Sequence, residues 1–411
     1  MDMPADRPLV CGYGWVSKEG VQIMSNQTAK KKTTVKKKAL RILDRLGPEM
    51  ADAAKTLTPY EPVSSLPKIL DNPDMVHFKL DWNESTIPPA PGVKKAVMAF
   101  LDGEYGLNYY PQLFSPDLRL RLQSHVGYPA DHIVVTNGSD DALDLICKSY
   151  LNPGDRVLSP YPTYTHALLF AKSRGAVVDK IFYDDPFKGS IDTIIENITD
   201  QTKIIYLVNP NNPTGQMFTS DEVGRLAQAA PHALLLIDEA YHEFARQSVI
   251  DLVGTYENVI ITRTFSKVWG LAALRVGYLV AQPRIVSELS HLYNPKSVNQ
   301  IAQIAAIAAL DDPEYYDKYI NDVDASKLLF EKWCDRHDIG FRTTPASYVL
   351  IKVDRVKEVV AGLAEEGVYV RDRSSFPKLA GYFRLNLGTE EQTREVIHRF
   401  ERVLERLGLM S

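Results

Sequence analysis

Cysteine is scarce in this chain. Cys11, Cys147 and Cys334 are the only three, they lie far apart, and none belongs to a CxxC pair or a histidine cluster. That pattern argues against a disulfide framework and a structural zinc site and fits a reducing compartment. Long apolar runs are missing as well: no stretch reaches the length needed to span a bilayer, and the first residues lack the uninterrupted apolar core of a secretory signal. The expectation is a cytoplasmic protein. Net charge is small, with 47 Lys and Arg against 52 Asp and Glu, so the molecule as a whole has no attraction for nucleic acid or an anionic membrane. No internal repeat is found.

What is present is an ordinary globular composition spread over 411 residues, enough for two domains sharing a sizeable core. Residues 1–75 read differently from the rest. Lys30, Lys31, Lys32, Lys36, Lys37, Lys38, Arg41 and Arg45 face a single acid, Asp44. Lysine runs without interleaved aromatics are usually solvated. The stretch is therefore read as a partly disordered extension with a short helix over Val35–Leu46, stopped by Gly47-Pro48, rather than as a nucleic-acid contact. Met24 is an alternative start.

From about Val76 the chain becomes regular. Apolar, β-branched segments recur at Ile133–Thr136, Arg156–Leu158, Lys203–Val208, Ala233–Ile237, Val259–Thr262 and Gly277–Val280. Helix-like stretches such as Asp140–Tyr150, Asp221–Ala230 and Gln300–Leu310 separate them. This alternation predicts an α/β protein whose mostly parallel sheet is covered on both faces, a three-layer large domain. After Pro313 long helices dominate, with strands at Tyr348–Val353 and Phe383–Leu387, which predicts a smaller α/β domain. The expected division is 76–104 joining the small domain, 105–300 as the large domain and 301–411 as the small one.

In an open parallel sheet, ligands bind beyond the carboxyl ends of the strands. Four such ends carry unusual residues. Asn137-Gly138-Ser139-Asp140 opens a helix, where free backbone N–H groups favour an anion such as phosphate; taken alone it is equally a routine N-cap by Ser139 or Asp140. Asn212-Pro213-Thr214-Gly215 is a rigid turn that holds Asn212 as a hydrogen-bonding group. Asp238 closes an apolar strand, and a carboxylate there calls for a cation such as a pyridinium nitrogen; Tyr241 follows three residues later. Thr264-Phe265-Ser266-Lys267, with Arg275 beyond, joins an amine suited to Schiff-base formation to two hydroxyls and a guanidinium that can grip phosphate. Each element has a bland explanation by itself. Together, and in this order, they are what a phosphopyridine aldehyde needs, so the expected cofactor is pyridoxal 5′-phosphate (PLP) on Lys267.

From about Leu80 to Arg406 the chain resembles the fold-type-I, class I/II aminotransferases, and most closely the histidinol-phosphate aminotransferases. The motifs are Asn212–Gly215, Asp238-Glu239-Ala240-Tyr241, Thr264–Lys267 with Arg275, and Arg371-Asp372-Arg373-Ser374 followed by Phe383-Arg384-Leu385. The resemblance implies that Lys267 bonds the cofactor and then shuttles the proton. It implies that Asp238 pairs with the ring nitrogen, that Asn212 and Tyr241 bond the ring oxygen, and that Tyr164 stacks on the ring. Gly138, Ser139, Asp140, Thr264, Ser266 and Arg275 would surround the phosphate, with Tyr110 reaching it from the other subunit of a homodimer. Arg384 would take the carboxylate of a small-molecule amino donor, and Arg371 the acidic end of the acceptor. The run Trp82–Pro88 departs from that family's Asn-Glu-Asn-Pro and lacks its following aromatic. This points away from histidinol phosphate, toward a smaller or non-aromatic amine. The extension before Val76 is also not expected of that family.

Transamination is the leading reading. A decarboxylase, eliminase or amino-acid cyclase on the same scaffold shares every cofactor motif and stays open. A PLP-sensing transcription regulator needs a folded helix-turn-helix domain, for which one short helix and Pro59, Pro62 and Pro67 are insufficient.

Overall fold

The computed structural model describes residues 49–55, 57, 75–104 and 106–410. Contacts divide the chain at Ala51/Asp52, and the second unit, Asp52–Ser411, carries all the helices and strands described. The expected helix Val35–Leu46, the basic run, Cys11 and the proline-rich stretch lie outside the described residues.

The strands in chain order are β1 (Phe78–Lys79), β2 (Ile133–Thr136), β3 (Arg156–Tyr161), β4 (Val177–Phe182), β5 (Thr202–Val208), β6 (Leu234–Asp238), β7 (Val259–Thr264), β8 (Gly277–Ala281), β9 (Gly340–Arg342), β10 (Tyr348–Lys352), β11 (Val368–Tyr369), β12 (Arg371–Asp372) and β13 (Tyr382–Asn386). Seven of them form one sheet in the order β2-β8-β7-β6-β5-β3-β4. Its pairs are parallel from β7 through β4, and β8 runs antiparallel to both β7 and β2.

The apolar runs read from the sequence are strands buried on both faces, as parallel strands require. Along β6, Leu235 and Ile237 join one core cluster while Leu234 and Leu236 join the other; β5 and β7 alternate in the same way. Helices Pro116–Val126, Ser220–Ala229 and Gln300–Leu310 cover the first face. Helices Ser139–Tyr150, His166–Ser173 and Pro283–Leu289 cover the second. The molecule is an α/β protein with three layers around this sheet. β4 was not anticipated. It is an edge strand, its Val177 and Phe182 are exposed, and so it lacks the continuous apolar run that marks its neighbours.

A four-stranded antiparallel sheet, β12-β13-β10-β9, comes in the last third, packed by helices Pro313–Arg336, Val356–Glu365 and Glu390–Arg406. β1 pairs in parallel with β11. This pairing, together with Asn386 N–H donating to the Leu80 carbonyl at 3.2 Å, leads residues 80–86 across the ends of the large sheet. Tyr348 Oη ties the two sheets by donating to the Asn211 carbonyl at 2.7 Å.

Candidate active site

Gly277, the first residue of β8, pairs with both Thr136 at the end of β2 and Thr264 at the end of β7. It therefore draws two strand ends and the loops after them together. A Cβ at Gly277 would lie 2.7 Å from the Ser139 nitrogen, so only glycine lets the helix N-terminus approach this closely. Gly138 caps that helix with φ +84° and no side-chain cap, which leaves first-turn N–H groups without one. The routine capping alternative for Ser139 or Asp140 is thus not what the chain adopts. A Cβ on Gly138 would meet Arg275 Nη2 at 2.6 Å. Arg275 Nη1 donates to Ser266 Oγ at 3.2 Å, and Thr264 Oγ1 accepts from the Ser266 N–H at 3.1 Å.

Beside this cradle, Asp140 Oδ1 accepts from Tyr164 Oη at 2.8 Å, and His166 Nδ1 lies 2.5 Å from the same hydroxyl. Burial opposes ionisation of Asp140, but its contacts with His166 and Tyr164 hold the carboxyl below its ordinary range. Asp238, at the end of β6, is 2 % exposed. Its Oδ2 meets Tyr206 Oη at 3.4 Å, while Oδ1 has no hydrogen-bond partner among the described residues. Burial, and secondarily the charge of Asp140, pushes the Asp238 carboxyl up to about 7. It is an acid placed where only a cation would make its charge comfortable.

Lys267 Nζ donates to the Trp82 carbonyl at 2.8 Å and lies 5.7 Å from the Tyr241 ring centroid. Tyr241 Oη accepts from Asn83 Nδ2 at 2.9 Å. Arg384, buried in β13, donates through Nη1 to Asn212 Oδ1 at 2.7 Å and through Nη2 to the Asp81 carbonyl. Arg371 in β12 is the direct cross-strand partner of Arg384.

Residues 77–400 match the aminotransferase class I and II family. The chain belongs to the class I and II aminotransferases. Among its relatives, it is 33% identical over 363 residues to a dihydroxyacetone phosphate transaminase of Campylobacter jejuni, covering 87% of this chain and 98% of that protein. It is 32% identical over 372 residues to a histidinol-phosphate aminotransferase of Methanocaldococcus jannaschii, covering 87% and 97%. In fold it is similar to the crystal structure of a Sinorhizobium meliloti histidinol-phosphate aminotransferase in complex with pyridoxal-5′-phosphate. There the TM-score is 0.79 at 22% identity, covering 88% of this chain and 99% of that one.

In this aminotransferase the structure brings together Gly138, Ser139, Asp140, Tyr164, Asn212, Asp238, Tyr241, Thr264, Ser266, Lys267, Arg275, Arg371 and Arg384. Tyr110 stands apart. It is 80 % exposed, with Lys296 Nζ 5.0 Å from its ring centroid. Sequence reasoning missed three participants. Asn83, buried with φ +56°, holds Tyr241 from 158 positions away; its left-handed backbone leaves no mark in the residue pattern. His166 completes the Tyr164–Asp140 contact, and its place two residues after Tyr164 is the only signal. Arg373 stands inside the Arg371–Ser374 motif, yet the family resemblance assigns it no role.

Proposed function

We propose that this aminotransferase holds PLP on Lys267 and moves an amino group between an amino-acid donor and a keto or aldehyde acceptor. The residues fit the cofactor. The observation that carries the reading is Asp238, a buried carboxyl with an unpartnered oxygen at a strand end; a protonated pyridine nitrogen is the cation it calls for. The glycine-lined helix N-terminus at Gly138 supports a phosphate position shared by Ser139, Asp140, Thr264, Ser266 and Arg275. Asn212 and Tyr241 would bond the ring oxygen, and Tyr164 would cover the ring face.

When bound, PLP supplies an electron sink for the pair left when a substrate carbon loses its proton. The chain's own groups do the rest. Lys267 Nζ takes that proton and returns it. Asp238, once ionised, keeps the ring nitrogen protonated. Asn83, by donating to Tyr241 Oη, orients the phenol. Arg384 fixes the donor carboxylate, and Arg371 receives the acidic end of the acceptor.

We further read residues 105–300 and 301–411 as the large and small domains of a cytoplasmic homodimer, with helix Gln300–Leu310 packed back on the large domain's sheet. Leu107, Tyr109, Tyr110, Leu113 and Phe114 form an exposed apolar run, which supports a subunit contact there. Tyr110 would cross it to the partner's phosphate position. Cys147 and Cys334 are buried free thiols, in keeping with a reducing compartment. No described helix is long and apolar enough to cross a membrane.

The test is a single turnover. The loaded enzyme mixed with glutamate and no acceptor should release stoichiometric keto acid per site, and adding an acceptor should restart it. Release of carbon dioxide in place of keto acid would move the assignment to a decarboxylase, and release of ammonia along with keto acid to an eliminase.

A further inference from the structure

Three guanidiniums leave the small sheet on one side. Arg371 and Arg384 face each other across β12 and β13. Arg373 lies two residues beyond Arg371, and its N–H continues the pairing by donating to the Tyr382 carbonyl at 2.9 Å. In extended chain, residues two apart share a face. Like charges opposed across a sheet are destabilising, and this arrangement adds a third.

Among the described residues, neither Arg373 nor Arg384 enters an ion pair. The hydrogen bonds of Arg384 go to neutral acceptors, Asn212 Oδ1 and the Asp81 carbonyl. The Asp81 carboxylate, whose charge also acts on Arg384, pairs with Lys79 at 3.2 Å. Arg373 lies 5.6 Å over the Phe376 ring and Arg384 5.4 Å over that of Tyr348. The Nε of each is buried with no partner among the described residues. Burial, then the charges of Arg384 and Arg371, pull Arg373 well below the ordinary arginine range. Buried donors of one sign without acceptors call for an anion from outside.

We propose that Arg373 is a specificity-determining residue, the third guanidinium of a pocket that selects acceptors ending in a doubly charged phosphate or phosphonate over those ending in a carboxylate. The proposal rests on the reading that Arg371 and Arg384 receive the acidic ends of the substrates. One carboxylate matches one guanidinium fork. A phosphate monoester carries close to two charges and three acceptor oxygens at neutral pH, and so fills a pair of forks. With Arg384 assigned to the donor carboxylate, Arg371 and Arg373 supply that pair.

The experiment compares kcat/KM of the PLP-loaded enzyme for dihydroxyacetone phosphate and for its carboxylate counterpart, 5-hydroxylevulinate, in wild type, Arg373→Gln and Arg373→Lys. Competition of methylphosphonate and acetate against the donor is read in parallel, so that binding without turnover still registers. Wild type should favour the phosphate-type ligands by roughly 30-fold or more. Arg373→Gln should shrink that preference to within about threefold, and Arg373→Lys should retain part of it. A merely structural role would lower both ligands alike and leave the ratio standing. An unchanged ratio in Arg373→Gln, or a wild type without phosphate preference, overturns the proposal. Failure to release keto acid from the donor alone instead overturns the aminotransferase reading on which it rests.

Discussion

Replacing Asp238 by asparagine should make the cofactor-free protein more stable in alkali while destroying catalysis. The carboxyl is raised from its ordinary 3.8 to about 7, chiefly by burial. At ~1.4 kcal/mol per pH unit, ionising it in place therefore costs about 4 kcal/mol. The sign comes from proton counts. Between about pH 4 and 7 the folded chain keeps a proton that the unfolded chain has released, so stability falls as pH rises through this window. The penalty is complete above it and vanishes below. Asparagine carries no such penalty. Urea unfolding of wild type and Asp238→Asn at pH 8, both without PLP and at one protein concentration, should then favour the variant by up to about 4 kcal/mol. The gap should close toward pH 4. With PLP bound the order should reverse, because the ring nitrogen is the counter-charge that only aspartate can exploit. A variant no more stable than wild type at pH 8, or a gap that does not change with pH, would refute the claim that burial of the charge outweighs the groups of the chain that favour it.

Borohydride treatment of the loaded enzyme should attach the cofactor to the peptide containing Lys267, and Lys267→Ala should remove the lysine-linked absorbance; mass spectrometry finding the label on Lys203 or elsewhere would overturn the assignment. Gly138→Ala should weaken cofactor affinity roughly tenfold or more, because its Cβ collides with Arg275 at 2.6 Å and φ there is +84°; equilibrium dialysis reads the change, and wild-type affinity would speak against the phosphate position. Mixing inactive Tyr110→Phe subunits with inactive Lys267→Ala subunits should create hybrid dimers with one undamaged site. If subunit exchange restores no activity, Tyr110 does not serve the neighbouring chain.

The strand ends that frame the candidate site were legible because doubly buried strands write continuous apolar runs, and the polar residues that follow each run stand out. Asp238 after Ala233–Ile237 and Lys267 after Val259–Thr262 are of this kind. The substrate half was less legible. β12 has only two residues, too few for any periodicity, yet its pairing is what sets Arg371 opposite Arg384 and brings Arg373 alongside. The roles of Arg371 and Arg384 came from resemblance rather than from pattern. Asn83 escaped because its partner is remote in the chain, and β4 escaped because an exposed edge strand loses the apolar signature of the interior.

The segment Asp81–Asn83 meets the pocket in an uneven way. Lys267 and Arg384 reach the carbonyl oxygens of Trp82 and Asp81, whereas Tyr241 meets the side chain of Asn83. A carbonyl belongs to every residue type, so position 82 is free to vary in identity without altering what the lysine touches. Chain length is another matter. A single deletion or insertion between β1 and Glu84 would move each carbonyl out of place and carry Asn83 away from the phenol. Position 82 is therefore tolerant of spelling but not of spacing, and a library that samples only substitutions would underestimate how tightly the stretch is constrained.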